Sequence, residues 1–424
     1  MGVDAQYGDL VSHTTPTRVH DVAIVGAGPA GLFAAEIIAG AGHRVTIYER
    51  MTSPARKFLL AGRGGLNLTH CEPLETFLAR YGDNATEVRA AVEGFPPSRL
   101  VAWANDLGAR TFVGTSGRIF PRAMKASPLL RAWLRRLDGL GVTIKTRHLW
   151  IGFAPSGELL FKTSENETIT VNPDAALLAL GGASWPKLGS DGRWVDIFSA
   201  FDIPVTPLAP ANCGVLVPWS EVFRTRFEGA ALKRIAVSIG DGTVTRRGEA
   251  VVTRTGLEGG VIYALGPAIR AALGSEKDAA LVVDLKPDAS LLDLTQRLAN
   301  PRGGDTMTNF LRKVAHLDPV AIGLLREAGL PDGAEALATR IKAVPLRVTG
   351  LAGLDRAIST AGGVAWRCLE QGSMIRARPG VFVAGEMLDW EAPTGGYLLQ
   401  ATFATAVKAA NGLLGWLAAR EQTA

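Results

Sequence analysis

The segment from residue 20 to residue 49 limits the possible fold more than any other part of the chain. A short apolar run is followed by the glycine-rich sequence GAGPAG, a helical pattern and a second alternating run that ends in Glu49. In such a pattern Gly26 permits a tight turn, Gly28 lets the backbone approach a pyrophosphate, and Gly31 lets the helix pack closely on the strand. The acidic Glu49 accepts hydrogen bonds from ribose hydroxyls and disfavours a 2′-phosphate. The segment therefore predicts a βαβ unit that binds FAD or NAD.

A strand pattern near the C-terminus indicates that both ends of the chain build one nucleotide-binding domain. The run from Gly380 to Ala384 leads into Gly385 and Glu386, and the region before it changes to short β-like segments followed by helical patterns. This wrap-around is typical of FAD enzymes of the glutathione reductase type. We therefore predict an α/β fold, in which a Rossmann-like FAD-binding domain of the glutathione reductase type carries an inserted β-barrel-like plus helical domain. The predicted limits are a disordered leader at 1–19, the FAD-binding domain at 20–201 and 356–424, and the insert at 202–355, whose β part covers 202–288 and 344–355 and whose helical part covers 289–343.

Hydrophobic periodicity predicts the main elements. Strands are predicted at 20–25, 44–49, 175–180, 213–217, 235–239, 250–253, 281–285 and 380–384. Helices are predicted at 32–39, through most of 85–140 and 290–343, and at 398–417, with a hairpin or loop at 111–121.

Composition argues against several other classes of protein. The 45 Lys and Arg residues exceed the 40 Asp and Glu residues by only five, and we find no basic cluster interleaved with aromatics, so a nucleic-acid partner is not expected. The three cysteines lie far apart, which argues against a disulfide framework or a Cys-rich zinc site and indicates a reducing, cytoplasmic setting. The nearly uncharged stretch 23–42 contains five glycines and Pro29, which argues against a membrane span. We therefore expect a small-molecule substrate, no metal and no membrane partner.

Five further motifs follow one another along the chain. They are AGRGGLNLTH at 61–70, SGRIFP at 116–121, LGGASWP at 180–186, GEMLD at 385–389 and TGGYLLQ at 394–400. In this combination, over roughly residues 20 to 415, the sequence resembles the YhiN/BaiN-type bacterial flavoproteins, a family of NAD(P)/FAD-dependent oxidoreductases. It fits the subgroup with AGRGGLNLTH in place of the commoner SGGGRCNLTN. Gly65 and Leu66 stand where most members have Arg and Cys, so no role of that pair carries over.

The motifs suggest how this chain would hold FAD. Lys57 and Arg63 flank a glycine-rich loop, where cations face a pyrophosphate or the flavin ring; the neighbouring Arg56 is as well explained as a solvated side chain. By likeness to related flavoenzymes, Glu386 holds the ribityl chain, and Asp389 is the competing candidate.

Two glycine pairs complete the expected cofactor site. Gly181 and Gly182 mark either a close backbone passage beside the cofactor or a plain turn. Gly395 and Gly396 open the last helix, whose dipole then points at the N1/O2 edge of the flavin. The full set of predicted cofactor-binding residues is Gly26, Gly28, Pro29, Ala30, Gly31, Glu49, Arg50, Lys57, Arg63, Gly64, Gly65, Leu66, Asn67, Gly181, Gly182, Gly385, Glu386, Asp389, Gly395, Gly396, Tyr397 and Leu398.

The predicted activity is FAD-dependent hydride transfer to or from a small hydrophobic organic substrate. The resemblance favours reduction of a conjugated C=C bond, and NAD(P)H would bind only transiently because no second nucleotide fingerprint follows a strand. No catalytic residue is assigned, although His70, Cys71, Glu386 and Tyr397 are the nearest titratable groups to the expected flavin. The alternatives are a flavin-binding redox sensor or partner protein without turnover, and an oxidase or hydroxylase that uses O2.

Overall fold

The computed structural model describes residues 18–61, 64–82, 85–240, 242 and 244–423. The chain divides into two compact units: the first runs to Ala209 and resumes at Ser359, and the second is Pro210–Ile358. The predicted insert boundaries lie a few residues N-terminal to these divisions and stay predictions as domain limits. Most of the predicted leader lies outside the described residues.

Both units contain strands and helices. The strands are β1 (Asp21–Val25), β2 (Arg44–Glu49), β3 (Thr69–His70), β4 (Thr111–Val113), β5 (Arg118–Pro121), β6 (Thr143–Thr146), β7 (Leu149–Phe153), β8 (Leu159–Lys162), β9 (Thr168–Val171), β10 (Ala175–Leu178), β11 (Val205–Ala211), β12 (Val215–Leu216), β13 (Ala231–Ile239), β14 (Val244–Thr253), β15 (Gly256–Glu258), β16 (Ala279–Asp284), β17 (Val344–Val348), β18 (Gly350–Leu351), β19 (Ser359–Val364) and β20 (Val381–Val383). The α-helices are α1 (Pro29–Gly40), α2 (Arg56–Ala61), α3 (Leu74–Ala79), α4 (Thr86–Gly94), α5 (Pro97–Asp106), α6 (Ala126–Gly139), α7 (Trp194–Ala200), α8 (Glu221–Phe227), α9 (Gly260–Tyr263), α10 (Gly266–Ser275), α11 (Leu291–Leu298), α12 (Met307–Val314), α13 (Pro319–Glu327), α14 (Ala334–Lys342) and α15 (Tyr397–Thr423).

A parallel five-stranded sheet organises the first unit. Its order is β20-β10-β1-β2-β6, and every neighbouring pair is parallel. Strands β1 and β10 read as continuous apolar runs because both faces of such a sheet are covered. A three-stranded antiparallel sheet, β7-β8-β9, leads into β10, and a second one has the order β3-β5-β4. The predicted strand at 44–49 has the observed limits. The strand predicted at 175–180 ends two residues earlier, at Leu178. The strand predicted at 380–384 is one residue shorter at each end.

The second unit contains a seven-stranded sheet with helices. Its order is β17-β16-β13-β14-β15-β12-β18, and all neighbouring pairs are antiparallel. The two edge strands, β17 and β18, are separated only by Thr349, so the chain passes directly from one edge of the sheet to the other. This connection closes the sheet as the predicted β-barrel-like part requires. Helices α11 to α14 correspond to the predicted helical part, and buried residues of these helices and of the strands form one core.

Helix α15 packs through the centre of the first unit. Phe403 on this helix meets Phe33 of α1 with ring centroids 4.8 Å apart, and Trp103 and Trp133 pack against both rings in the same fully buried cluster. Farther along α15, Gly412 lies against Gly372 in a turn. Among the described residues, no helix has the combination of length and apolar character needed to cross a membrane.

Alanine at Gly412 tests the contact between this turn and the helix. A Cβ at position 412 would lie 2.5 Å from the Gly372 Cα, so the two segments must separate, and we expect the free energy of unfolding to fall by about 1–3 kcal/mol. The control is Gly415→Ala, where a Cβ meets no heavy atom within 4 Å and the helix propensity of alanine should add up to about 1 kcal/mol. Urea unfolding measures both values, and equal effects would contradict this contact.

Candidate cofactor site at the carboxyl edge of the parallel sheet

The parallel sheet brings four of the predicted segments to one edge. GAGPAG follows β1, Glu49 ends β2, Gly181 lies just beyond β10, and Gly385 lies just beyond β20. The carboxyl ends of parallel strands lie at the same edge, and the chain leaves the central β1 first toward β2 and later returns on its other side as β10. A crevice at such a reversal of strand order is the usual ligand site of an open α/β sheet.

The glycines of GAGPAG have two different surroundings. Gly26 has φ of +103°, and a Cβ there would lie 2.4 Å from the carbonyl oxygen of Ala179. A Cβ on Gly31 would lie 1.9 Å from the carbonyl oxygen of Gly26. In contrast, a Cβ on Gly28 meets no heavy atom within 4 Å. Two glycines are thus required by backbone packing, and the third borders open space at the N-terminus of α1, where helix amide groups attract phosphate.

Glu49 is held in place by main-chain groups. Its Oε2 accepts a hydrogen bond from the Ala27 amide and its Oε1 accepts one from the Met51 amide, both at 2.8 Å. The side chain is buried. Each carboxylate oxygen can accept more than one hydrogen bond, so this fixed carboxylate can also receive ribose hydroxyls.

Lys57 and Glu386, which were predicted to serve different parts of the cofactor, are bound to each other. Lys57 Nζ lies 2.7 Å from Glu386 Oε2 and 2.5 Å from the Ser184 hydroxyl. The other carboxylate oxygen of Glu386 accepts a hydrogen bond from the Thr360 amide at 3.0 Å, and the Thr360 hydroxyl accepts from the amides of Ala183 and Ser184. This network joins the segments after β2, β10 and β20 with β19.

Arg50 and the two glycines after β10 contact protein groups at the same edge. Arg50 pairs with Asp191 at 2.5 Å. A Cβ on Gly181 would lie 3.0 Å from the Ser190 hydroxyl, and a Cβ on Gly182 would lie 2.4 Å from that of Thr360. Protein packing therefore suffices to explain why positions 181 and 182 are glycine.

Five further residues of the predicted set lie at the starts of helices or in the segment after β20. Pro29 and Ala30 open helix α1, and a Cβ on Gly385 would lie 2.8 Å from that of Ala30. Leu398 is half-buried in the first turn of α15. The carboxylate of Asp389, the competitor of Glu386, accepts a hydrogen bond from the Thr206 hydroxyl at 2.6 Å. Asp389 therefore lies in a different hydrogen-bond network from Glu386.

The loop that contains AGRGGLNLTH places unsatisfied polar atoms beside the start of α15. Asn67 Oδ1 and Thr69 Oγ1 are buried and have no hydrogen-bond partner among the described residues. A Cβ on Gly396 would lie 2.5 Å from the Thr69 Cα, so this loop touches the glycine pair before α15. Because buried polar atoms normally have partners, these two oxygens are candidates for contact with a ligand. Of the other predicted loop residues, Gly64 is exposed, Leu66 is buried, and Arg63 lies outside the described residues.

Tyr397 belongs to a hydrogen-bonded cluster with Glu72. Its hydroxyl donates to Glu72 Oε1 at 2.7 Å, and burial and that carboxylate raise the pKa of Tyr397 well above its ordinary value. Two hydrogen bonds from Arg80, of 3.2 and 2.8 Å, lower the pKa of Glu72. The Tyr397 ring stacks on His70, whose Nδ1 accepts from the Glu72 amide, so Nε2 carries the proton and donates to the Ser116 carbonyl. These contacts fix the positions of the His70 and Tyr397 side chains.

The described geometry fits a dinucleotide that carries a flavin. The open space at Gly28 suits a pyrophosphate, Glu49 suits a ribose, and the two unpartnered oxygens of Asn67 and Thr69 suit polar groups of a ligand. Among the described residues there is no group of three or more side chains that could hold a metal ion.

Sequence reasoning missed the partners that link these segments. Ser184, Thr360 and Thr69 were not predicted as site residues, although the first and last of them lie inside two of the quoted motifs. Thr360 carries no local signal, because its role depends on contacts with residues more than 170 positions earlier in the chain.

Comparison with known proteins assigns the chain to a family. The model of the HI0933-like protein Rossmann domain matches residues 20–412. The chain belongs to this family. It is accordingly an FAD-dependent oxidoreductase, as the motifs predicted.

Two relatives match over nearly their full length. A ribosomal RNA dihydrouridine synthase of Escherichia coli is 26% identical over 412 residues, which cover 93% of this chain and 98% of the relative. A 3-dehydro-bile acid delta(4,6)-reductase of Clostridium scindens is 23% identical over 403 residues, or 91% of this chain and 96% of the relative. The family therefore contains enzymes with quite different substrates.

Solved structures share the fold. The FrdA subunit of Escherichia coli quinol fumarate reductase matches with a TM-score of 0.50 at 15% identity, over 96% of this chain and 71% of that one. Mycobacterium smegmatis Sdh1 also matches with a TM-score of 0.50, at 14% identity, over 94% of this chain and 69% of that one. At these identities the likeness concerns the fold alone.

Valine at Gly28 tests the cofactor cradle. A Cβ there meets no heavy atom within 4 Å, so we expect little change in the melting temperature and FAD binding weakened about tenfold or more. The control is Gly139→Val, at another position where a Cβ has no neighbour within 4 Å, which should keep its FAD. Titration of apoprotein with FAD measures both affinities. Full flavin occupancy in the Gly28 variant would contradict the placement.

The acid stability of the protein should depend on Glu72. A lowered pKa means that the folded state favours the carboxylate, so its stabilising effect is complete above the ordinary value of 4.5 and is lost as pH falls through the lowered value. We expect Glu72→Gln to flatten the fall in unfolding free energy on acidification, measured by urea unfolding between neutral and acidic pH. Glu75→Gln, which changes an exposed carboxylate of the adjoining helix, is the control, and it should keep the slope of the wild type.

Proposed function

We propose that this protein reduces a carbon–carbon double bond conjugated to a carbonyl group, with NAD(P)H as the electron donor. The observation that carries the proposal is the pair of full-length relatives. Formation of dihydrouridine saturates the uracil double bond next to a carbonyl, and a delta(4,6)-reductase acting on a 3-dehydro steroid acts on double bonds conjugated to its ketone. Although the two substrates differ in size and polarity, the bond that is reduced is of the same chemical type.

The carboxyl edge of the sheet supplies residues for each part of FAD. We place the adenosine ribose on Glu49 and the pyrophosphate at Gly28 and the N-terminus of α1. Lys57, paired with Glu386, then supplies a cation and a carboxylate near the middle of the cofactor. FAD, when bound, carries the two electrons of a hydride between donor and substrate.

The far end of the cofactor would meet the loop that carries Asn67 and Thr69. Their unpartnered oxygens can accept hydrogen bonds from ring N–H groups. Gly396 is pressed against Thr69, so the loop and the start of α15 form one continuous wall. Hydrogen bonds of Glu72 with Tyr397 and Arg80 hold the start of α15 in place. Such fixed groups orient a planar ring without rearranging during the reaction.

The net reaction consumes NAD(P)H and one proton and yields NAD(P)⁺ and a saturated carbon–carbon bond. The proton joins the carbon next to the carbonyl, and the hydride equivalent joins the carbon beyond it. His70 is an unsuitable source of this proton, because its Nε2–H is already donated to the Ser116 carbonyl. We therefore assign no catalytic acid. Within this reaction class, a small hydrophobic ketone and a uracil base are the two substrate candidates that the relatives suggest.

Anaerobic spectroscopy of the purified holoprotein tests the proposal. We expect NADH or NADPH to bleach the flavin, and we expect a conjugated cyclic enone or uridine to restore its colour without oxygen. The matched saturated ketone should not restore it, since only a conjugated double bond can accept the electrons. If air reoxidises the flavin but neither the enone nor uridine does, the result would contradict the proposal and favour an oxidase. Failure of both nucleotides to bleach the flavin would contradict the proposed donor and favour a sensor.

A further inference from the structure

One exposed surface of the first unit combines positive charge with large apolar side chains. It is formed by β4, β5 and the turn that follows them, and we call it the hairpin surface. Its exposed residues include Arg110, Phe112, Val113, Arg118, Arg122, Met124 and Lys125. The side chains of its four cations make no hydrogen bond or ion pair with other described residues. Cations of a folded domain that are left without partners are available to an anionic ligand.

The local sequence makes this surface much more basic than the whole chain. The segment from Leu107 to Lys125 contains the four cations of this surface and no acidic residue. The small overall excess of five positive charges conceals this segment. A nucleic-acid partner was not expected from the sequence because of that small excess and because no basic cluster interleaved with aromatics was found. The fold exposes such a cluster, because the short hairpin turns its cations and Phe112 to the surface together.

The hairpin surface exposes large apolar side chains to solvent. Phe112 and Met124 are each 38% exposed, and the Phe112 ring lies 5.9 Å from the ring of Phe120. Arg110 and Met124 also have left-handed backbone conformations, with φ of +46° and +56°. Such strained residues cluster at sites where a ligand is held. An exposed ring among unpaired cations is the arrangement that binds unstacked bases and their phosphates.

The hairpin surface is continuous with the loop of the candidate cofactor site. The amide of Leu66 donates to the Met124 carbonyl, and the amide of Leu68 donates to the Ile119 carbonyl, both at 2.9 Å. A Cβ on Gly65 would lie 2.6 Å from the methyl group of Met124. A polymer bound across the hairpin surface would therefore pass beside the loop that carries Asn67 and Thr69.

We propose that the hairpin surface binds an unpaired segment of RNA and presents one of its uracil bases to the flavin. The four cations contact phosphates, and Phe112 stacks on a neighbouring base. The inference rests on the proposed reduction of a conjugated double bond, of which the uracil ring is one substrate, and it assigns the part of this chain that selects RNA over a small ketone.

Fluorescence anisotropy with a labelled, uridine-containing single-stranded RNA 12-mer tests the surface in the holoprotein. We expect Arg110→Gln/Arg118→Gln/Arg122→Gln to weaken binding about tenfold or more and to lower the salt dependence by about two units of log–log slope. Phe112→Ala should weaken binding about tenfold at unchanged salt dependence, because it removes stacking and no charge. FAD content and the melting temperature of each variant verify that it is folded.

The matched control removes three exposed cations from the second unit. Lys233→Gln/Arg246→Gln/Arg356→Gln changes the net charge equally and should alter RNA affinity less than about twofold. If the hairpin variants bind RNA as tightly as the wild type, or if the control loses as much affinity, the proposed surface is wrong. Reduction of a cyclic enone by the wild type is measured in parallel. Its failure would count against the proposed reaction, whereas loss of RNA binding in the hairpin variants with retained enone reduction would support the surface.

Discussion

The contact of three backbone segments at Gly26 is the constraint on which the rest of the first unit depends. The turn after β1 passes against the end of β10 and under the first turn of α1, and there is no room for a Cβ on Gly26 or Gly31. This contact sets the N-terminus of α1 at the carboxyl edge of the sheet. Once the helix is there, its first amide groups, Glu49 at the end of β2 and the segment after β20 lie at the same edge of the sheet. The position of the candidate cofactor site thus follows from a packing requirement.

Most of the glycines discussed at this site are required by packing within the protein. Gly26, Gly31, Gly182 and Gly396 each lie where a Cβ would strike other protein atoms. Gly28, in contrast, borders open space. A glycine-rich motif therefore indicates a closely packed backbone first, and only the individual geometry distinguishes the glycine that leaves room for phosphate.

Most charged side chains at the candidate cofactor site form ion pairs or hydrogen bonds with other protein groups. Lys57 and Glu386 neutralise each other, and Glu72 ties Tyr397 to Arg80. Pairing reduces the cost of burying charge and holds each side chain in one orientation. Two buried oxygens in the loop after α2 and the cations of the hairpin surface are among the groups that have no partner in the described part of the chain. Both sets are available to groups from outside the chain.

The sequence by itself determined the elements whose signals are local. The periodicity and the glycines between residues 20 and 49 predicted the βαβ unit and the position of Glu49 at the end of β2. Apolar runs likewise predicted β10 and β20. These predictions were possible because strand and turn preferences act over a few residues. Only the tertiary structure decided which side chains meet. Lys57 and Glu386 are 329 positions apart, and Tyr397 and Glu72 are 325 apart, so no spacing rule relates them. The same holds for the hairpin surface, whose charge is visible in the sequence but whose exposure beside the cofactor loop depends on how β3, β4 and β5 pair.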